Sequence, residues 1–301
     1  MRILQLIRRF DFGGSENYVR ELSNALARSK DEVFLISNQG RQQQFLHTAV
    51  SFWPMNLSKV LLPINIFRLW LFIRRNQIEI IHAHQRSSIL LACMVGFITR
   101  VPVVVTIHAT TGIDLPSNFV RRIPMRIIYV SRFTMERSAW FDELKPRCEY
   151  VPNGLEISSQ STNFDEHRIL YVSRIDKCHF HILRLLIEVV IPKISIDYTS
   201  VVLEVVGDGC MLMEVEAMAK NTNELLHRQA VVVVGYVENV ASYLRKAGLV
   251  VGVGRVALEA MSNGIPVLSV NGARMGPIIT SENYDELSRS NFVYTRGLRS
   301  N

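Results

Sequence analysis

The chain has 301 residues, is 48% hydrophobic and 20% charged, and carries a net charge of +7, which supports one large or two ordinary cores and excludes wholesale disorder. Its four cysteines, Cys93, Cys148, Cys178 and Cys210, form no CxxC pair, which argues against a structural zinc site or a disulfide framework and suits a reducing cytosol. No apolar run approaches the roughly 18 residues of a bilayer span, and the run after Met1-Arg2 stops at Arg8-Arg9, too short for a signal segment.

In chain order, Arg2–Ile7 reads as an apolar strand. It runs into Asp11-Phe12-Gly13-Gly14-Ser15-Glu16 and a helix with Val19, Leu22 and Leu26 on one face, capped by Gly14 or Ser15. Gly13 and Gly14 let backbone N–H groups approach a phosphate or a hydroxyl. The loop lacks a full G-x-G-x-x-G, so a nicotinamide cofactor is disfavoured. Glu32–Ser37 is the second strand, and residues 39–58 show no clear pattern. Leu62, Ile66, Leu69 and Ile73 recur at helical spacing within Leu61–Arg75. This helix is predicted to pack on a core; its flanking arginines also suit a membrane surface.

Ile78–Ile81 is a strand leading to His82-Ala83-His84-Gln85. A helix over Ser87–Thr99 follows, then a buried strand, Val101–Ile107, that reaches His108. Ligands of open parallel sheets bind beyond the carboxyl ends of strands, where His84 and His108 fall. The pair has no evident third partner, so no metal is predicted. Ile127–Ser131 is a strand, Phe133–Leu144 a helix, and Glu149–Val151 a last strand before Pro152-Asn153-Gly154.

Residues 156–167 are polar and read as a link. Arg168–Val172 opens a second sheet and leads into Ser173-Arg174-Ile175-Asp176-Lys177. A helix over His181–Ile194 follows, then a strand, Val201–Val206, ending in Gly207-Asp208-Gly209. Next come a helix over Met211–Leu226, a strand over Ala230–Val234 ending at Gly235-Tyr236, and a helix over Glu238–Ala247. Leu249–Val251 enters Gly252 and Gly254. The helix Arg255–Ser262 carries Glu259, Asn263-Gly264 ends it, and Ile265–Val270 leaves as a strand. That is a parallel crossover unit whose helix N-terminus suits an anion, with Glu259 one turn in, within reach of a sugar hydroxyl. Asn271–Gly276 is a glycine-bearing loop. Alternating strands and helices predict an α/β protein with parallel sheets covered on both faces, divided into domains 1–155 and 168–301.

Charge divides the same way. Residues 1–155 hold twenty Lys and Arg against eleven acids, and residues 156–301 hold fourteen against sixteen. The basic half points to anionic lipid headgroups or an anionic acceptor; no recognition motif accompanies it, so nucleic acid is not expected.

Val250 to Ser269, VVGVGRVALEAMSNGIPVLS, resembles the donor-site signature of the retaining glycosyltransferases of the GT-B fold, family 4. Gly252, Gly254, Glu259, Ala260, Met261, Gly264, Pro266 and Val267 match it, whereas Val251 stands where the family has its first glutamate. GGSE at 13–16, TIHA at 106–109, YVPNG at 150–154, the Ser173-Arg174-Ile175 turn and VGDG at 206–209 resemble further family motifs in the family's order. The resemblance implies two Rossmann-like domains facing across a cleft, and transfer from a nucleoside-diphosphate sugar, the co-substrate, with no other cofactor. It places His108 at the donor sugar, Arg174 and Lys177 on the diphosphate, Glu259 on the ribose, and Gly13 and Gly14 at the phosphate or acceptor. Gly207, Gly235, Gly252, Gly254 and Arg255 would complete the donor cradle. His179 and Phe180 stand at the family's lysine offset. The absence of Asp-x-Asp disfavours the metal-dependent class of transferase.

The acceptor implied is a cell-envelope glycan or a lipid-linked saccharide, met in the cytoplasm or at the inner face of the plasma membrane. Val251 leaves open a degenerate member that binds nucleotide without turnover, and a sugar-nucleotide epimerase is a third reading. Family members usually continue for several tens of residues, with a last helix returning to the first domain; this sequence ends at Asn301.

Overall fold

A computed structural model describes residues 1–11, 13–109, 111–155, 164–237 and 239–295. The chain divides into two compact units, Met1–Gly154 and Leu155–Asn301.

The first unit is built on a seven-stranded parallel sheet of β1 (Arg2–Ile7), β2 (Glu32–Ser37), β3 (Val50–Pro54), β4 (Ile80–His84), β5 (Val103–Ile107), β6 (Arg126–Tyr129) and β7 (Cys148–Tyr150). The order across it is β3-β2-β1-β4-β5-β6-β7. Its inner strands are near-continuous apolar runs because helices cover both faces. The helices are α1 (Gly14–Arg28), α2 (Leu62–Asn76), α3 (Arg86–Thr99) and the short α4 (Thr111–Asp114), α5 (Asn118–Arg122), α6 (Arg132–Glu136) and α7 (Phe141–Leu144). Right-handed crossovers put α1 on one face and α2, α3 and α5 on the other. Alternation along β1 divides the core accordingly: Ile7 joins Phe10, Val19 and Leu35 under α1, and Leu4 and Leu6 join Leu69, Ile73 and Ile89 on the opposite face.

Two expectations change here. The unpatterned stretch 39–58 contains β3, an edge strand in which only Val50 is buried, so its alternation is too weak to read. The helix expected over Phe133–Leu144 is broken between Glu136 and Phe141, where the Ser138 hydroxyl accepts the Trp140 N–H and competes with the helical ladder.

The second unit has a six-stranded sheet in the order β10-β9-β8-β11-β12-β13. Its strands are β8 (Asp165–Val172), β9 (Val202–Val206), β10 (Val231–Gly235), β11 (Ala247–Val251), β12 (Val267–Val270) and β13 (Met275–Ile278). β13 lies antiparallel to β12, against the expectation of wholly parallel sheets. The Asn271 side chain accepts the N–H groups of Ala273 and Arg274 and reverses the chain too tightly for a crossover. β8 begins inside the stretch read as a link; residues 156–163 of that link lie outside the described residues.

α8 (Phe180–Arg184) continues through a π-helical turn, Leu185–Val190, into α9 (Ile191–Ile194), with Pro192 lacking a donor at that junction. α10 (Leu212–Leu225) follows. α11 (Val240–Leu244) is shorter than the helix expected over Glu238–Ala247, since Ala247 joins β11 and Glu238 lies outside the described residues. α12 (Gly254–Ser262) and an unanticipated α13 (Tyr284–Arg289) complete the unit, with Leu287 and Phe292 packed in the cluster that holds Ala257 and Ala260. Both units share one strand order, reversing beside β1 in the first and beside β8 in the second. Each is Rossmann-like, and the reversal point is where such sheets bind ligands.

Candidate functional site

In the first unit the parallel register decides which polar groups meet. Gln5 lies opposite His82, and Ile7 opposite His84, in β1 and β4; His84 lies opposite Thr106 in β5. Side chains alternate, so Gln5, His82, His84, Thr106 and His108 all project toward the α1 face. Gln5 Oε1 is 2.9 Å from His84 Nε2, and His84 Nδ1 is 3.2 Å from His108 Nε2. His82 Nε2 is 2.8 Å from the Thr106 hydroxyl. Tyr18 of α1 lies edge-on to His108 with ring centroids 5.0 Å apart. Asp114 supports the end of β5: its Oδ2 accepts the N–H groups of His108 and Ala109, both at 3.2 Å.

Burial sets the charge state of this cluster. It pulls His82 down to about 3, helped by His108, and pulls His108 down to about 4. His84 is held well below the ordinary imidazole value by burial and by its two histidine neighbours. Burial raises the Tyr18 phenol against the opposing Thr106 hydrogen bond, and raises the Asp114 carboxyl against the backbone bonds of Ala109 and His108. At neutral pH the three imidazoles are therefore uncharged. Their values lie too low for a general base matched to neutral pH. The cluster suits orientation of hydroxyl groups instead.

The glycine loop is fastened to this cluster. Gln85 adopts φ 67, a strained value outside glycine. Its Nε2 donates to Ser15 Oγ at 3.2 Å and Glu16 Oε1 at 3.1 Å, and its Oε1 accepts the Arg9 N–H at 3.2 Å. A side chain at Gly14 would meet nothing within 4 Å, whereas one at Gly13 would meet the Glu16 carboxylate. The backbone at Gly14 thus borders open space.

In the second unit, Arg174, Lys177, Gly207 and Gly235 come together at the carboxyl ends of β8, β9 and β10. Ile175 N–H donates to Asp208 O, and Gly207 N–H to Gly235 O, both at 2.9 Å. Gly207 was expected at the donor, but its close approach is to protein: a Cβ there would lie 1.9 Å from the Ser173 carbonyl oxygen, at φ +153. Gly235, at φ +76, faces open space. Asp176 shapes the cationic turn. Its Oδ1 accepts Cys178 N–H at 3.0 Å and meets His179 Nδ1 at 2.7 Å. Partial burial raises the Asp176 carboxyl, but the His179 bond and charge, Arg174 and the Cys178 N–H hold it below its ordinary value. Arg174, 75% exposed, stands 3.9 Å from Asp176, and Lys177 is also exposed.

Tyr171 of β8 lies opposite Val251 of β11, so this turn neighbours the start of α12. Two expectations are corrected there. Gly252 N–H donates to Leu268 O at 3.2 Å and Gly254 N–H to Asn291 O at 2.8 Å, so neither is left to hold a phosphate. Arg255 turns onto its own helix, with Nε 2.6 Å from Glu259 Oε1 and a side chain only 10% exposed. It helps to hold the acid in place. Val251 is 1% exposed within an apolar cluster that includes Tyr171 and Val205.

Sequence reading missed Gln5 and His82, though each is a polar residue inside an apolar strand, which is the available signal. Gln85, Tyr18, Asp114 and Asp176 carried none, because their partners are distant in sequence or set by turn geometry. Among the described residues no group of three His, Cys, Asp or Glu could hold a metal ion, and no helix is long and apolar enough to cross a membrane.

Comparison with known proteins accounts for both units. Residues 12–159 match the family model described as Glycosyltransferase Family 4, and residues 166–287 match that described as Glycosyl transferases group 1. No curated protein sequence matches the chain. Among solved structures, Anabaena Alr3699/HepE in complex with UDP-glucose is similar with TM-score 0.71 and 16% identity, over 91% of this chain and 82% of that one. A glycosyltransferase from Rickettsia africae ESF-5 gives TM-score 0.71 and 16% identity over 90% and 79%. The lipopolysaccharide outer core galactosyltransferase WaaB gives 0.56 and 16% over 90% and 80%. At such identity these likenesses speak for the fold.

Proposed function

The chain belongs to the family 4, group 1 glycosyltransferases, and we propose that it moves a sugar from a nucleoside-diphosphate donor to a hydroxyl of a cell-envelope glycan or lipid-linked saccharide, with retention at the reacting carbon. The observation that carries this reading is that Glu259, held by Arg255 on α12, and the exposed cations Arg174 and Lys177 stand at the same end of one sheet. The donor structures of Alr3699/HepE and the outer-core role in the name of WaaB support the substrate class.

When the sugar–phosphate bond breaks, negative charge grows on the departing diphosphate. Arg174 and Lys177 stabilise it as preformed cations, with no step assigned to a metal ion. Glu259 accepts hydrogen bonds from ribose hydroxyls, and His108 contacts the sugar. Val251 supplies no polar group where the family has a glutamate, so hold on the sugar falls more heavily on backbone and on His108.

The basic half suits a peripheral place on an anionic membrane. From residue 33 to 135 the chain has eleven Lys and Arg against two acids, Glu79 and Asp114. α2 buries Leu69 and Ile73 yet leaves Ile64 and Phe67 exposed at 56% and 63% beside Arg68. An apolar and cationic face of this kind attracts anionic headgroups.

The test is a thermal-shift panel with UDP-, GDP- and ADP-sugars, followed by product analysis with lipid-linked saccharide acceptors. A donor at a hundredfold its Kd adds about 2.7 kcal/mol. A selective shift followed by an α-linked product from an α-linked donor supports the proposal. No shift with any donor refutes it.

A further inference from the structure

We propose that Gln5 and His84 are positioning residues that fix the tautomer of His108, so that His108 presents an unprotonated Nδ1 to a hydroxyl of the bound sugar. This rests on the reading of His108 as a sugar contact. Donors and acceptors must pair one to one along this largely buried relay. Gln5 is fully buried, and its Oε1 only accepts, so His84 Nε2, 2.9 Å away, carries the proton. A neutral imidazole has one N–H, so His84 Nδ1 is a lone pair and accepts from His108 Nε2 at 3.2 Å. The His108 proton is then spent inward and its Nδ1 is bare. The other arm agrees. The Gln5 amide nitrogen faces His82 Nδ1 across a long contact of 3.5 Å, which leaves the His82 proton on Nε2 for the Thr106 hydroxyl at 2.8 Å.

One side-chain amide in β1 therefore orders protons on three histidines, two in β4 and one just past the end of β5. It can do so because the parallel register places Gln5 opposite His82 and brings His84 to the same face. Burial keeps all three rings neutral, which holds the relay in one proton per ring. If the amide were turned over, every proton in the chain would reverse and His108 would offer an N–H. The two arrangements select different ligand chemistry. A bare Nδ1 accepts from a hydroxyl and repels a phosphate oxygen, whereas an N–H would favour the phosphate. The relay thus assigns His108 to a neutral polyol.

The experiment is nitrogen-15 NMR of the histidine rings in the full chain, labelled at histidine, at neutral pH. His84 and His108 are expected as Nε2–H tautomers, and titration with UDP-, GDP- and ADP-glucose in turn should, for at least one of them, move the His108 Nδ1 resonance while its Nε2 proton stays in place. Gln5→Met, close in volume and unable to accept, should mix the His108 tautomers and weaken donor binding about tenfold, the scale of one oriented hydrogen bond. His84→Phe should do the same if Gln5→Met does not fold. A His108 proton on Nδ1 in the unaltered chain overturns the proposal without any variant, as does a Gln5→Met protein with an unchanged tautomer and affinity. The tautomer is read without donor, so loss of the proton order is distinguishable from a chain that binds no donor.

Discussion

The strand-end cluster of the first unit and the turns of the second do opposite things with charge. Gln5 and His84 are buried, His108 is half-buried, and the three are interconnected and neutral, so they act through direction. Around Arg174 and Lys177 the groups are exposed and cationic, with the Asp176 carboxylate beside Arg174 and the Arg255–Glu259 pair at the same end of the sheet. Both lie at the same topological place in the same kind of sheet. The difference teaches that the Rossmann-like frame supplies position, while the depth of a side chain decides whether it contributes geometry or charge.

Acid should break the comparison most strongly. The three imidazoles of the first unit are depressed below the ordinary 6.5, His82 to about 3 and His108 to about 4. The unfolded chain then binds protons that the folded unit refuses, so stability is lost as pH falls from about 6.5 toward 4, with a slope approaching three protons. No described histidine of the second unit is buried. Urea midpoints between pH 7 and pH 4 should therefore fall for a first-unit probe such as Trp53 fluorescence, and a flat profile would contradict the buried neutral cluster.

Val251→Glu restores the family's acid but places it at a position 1% exposed in an apolar cluster. The cost of such an unpaired buried charge is about 3–5 kcal/mol, read by denaturant unfolding, with no gain in turnover. A variant as stable and more active than the parent would show that the strand end opens to ligand. Gly207→Ala should cost the second unit about 3 kcal/mol through backbone strain, as its new methyl would lie 1.9 Å from the Ser173 carbonyl; an unchanged melting temperature would contradict that packing.

Smaller effects sharpen the contrast. Glu259→Ala should weaken donor binding about tenfold to a hundredfold, or about 1.4–2.7 kcal/mol, by calorimetric titration; unchanged affinity refutes its ribose role. Arg174→Ala should slow turnover about tenfold, since solvent screens an exposed cation more than a buried one, and Lys177→Ala less. Both losses should shrink with added salt, whereas that of Gln5→Met should not.

Much of this was legible in sequence. The strand–helix alternation, the two-unit division and the placement of His108, Arg174 and Glu259 at strand and helix ends follow from apolar runs, glycine turns and motif order. The errors share a cause. β3 was lost because an edge strand buries few residues, and the antiparallel β13 because an Asn271 turn looks like any glycine-bearing loop. Gly252, Gly254 and Arg255 fit a ligand-binding pattern, but their N–H groups and guanidinium found protein partners at Leu268, Asn291 and Glu259.

The sequence by itself determined the period of each element and the chemistry at its ends, because those are local properties of neighbouring residues. Only tertiary structure decided which polar groups met. Gln5 and His84 are 79 residues apart and bonded, since parallel register across β1 and β4 brings them to one face. Burial there then removes charge from three histidines that no local pattern could have shown to be neutral.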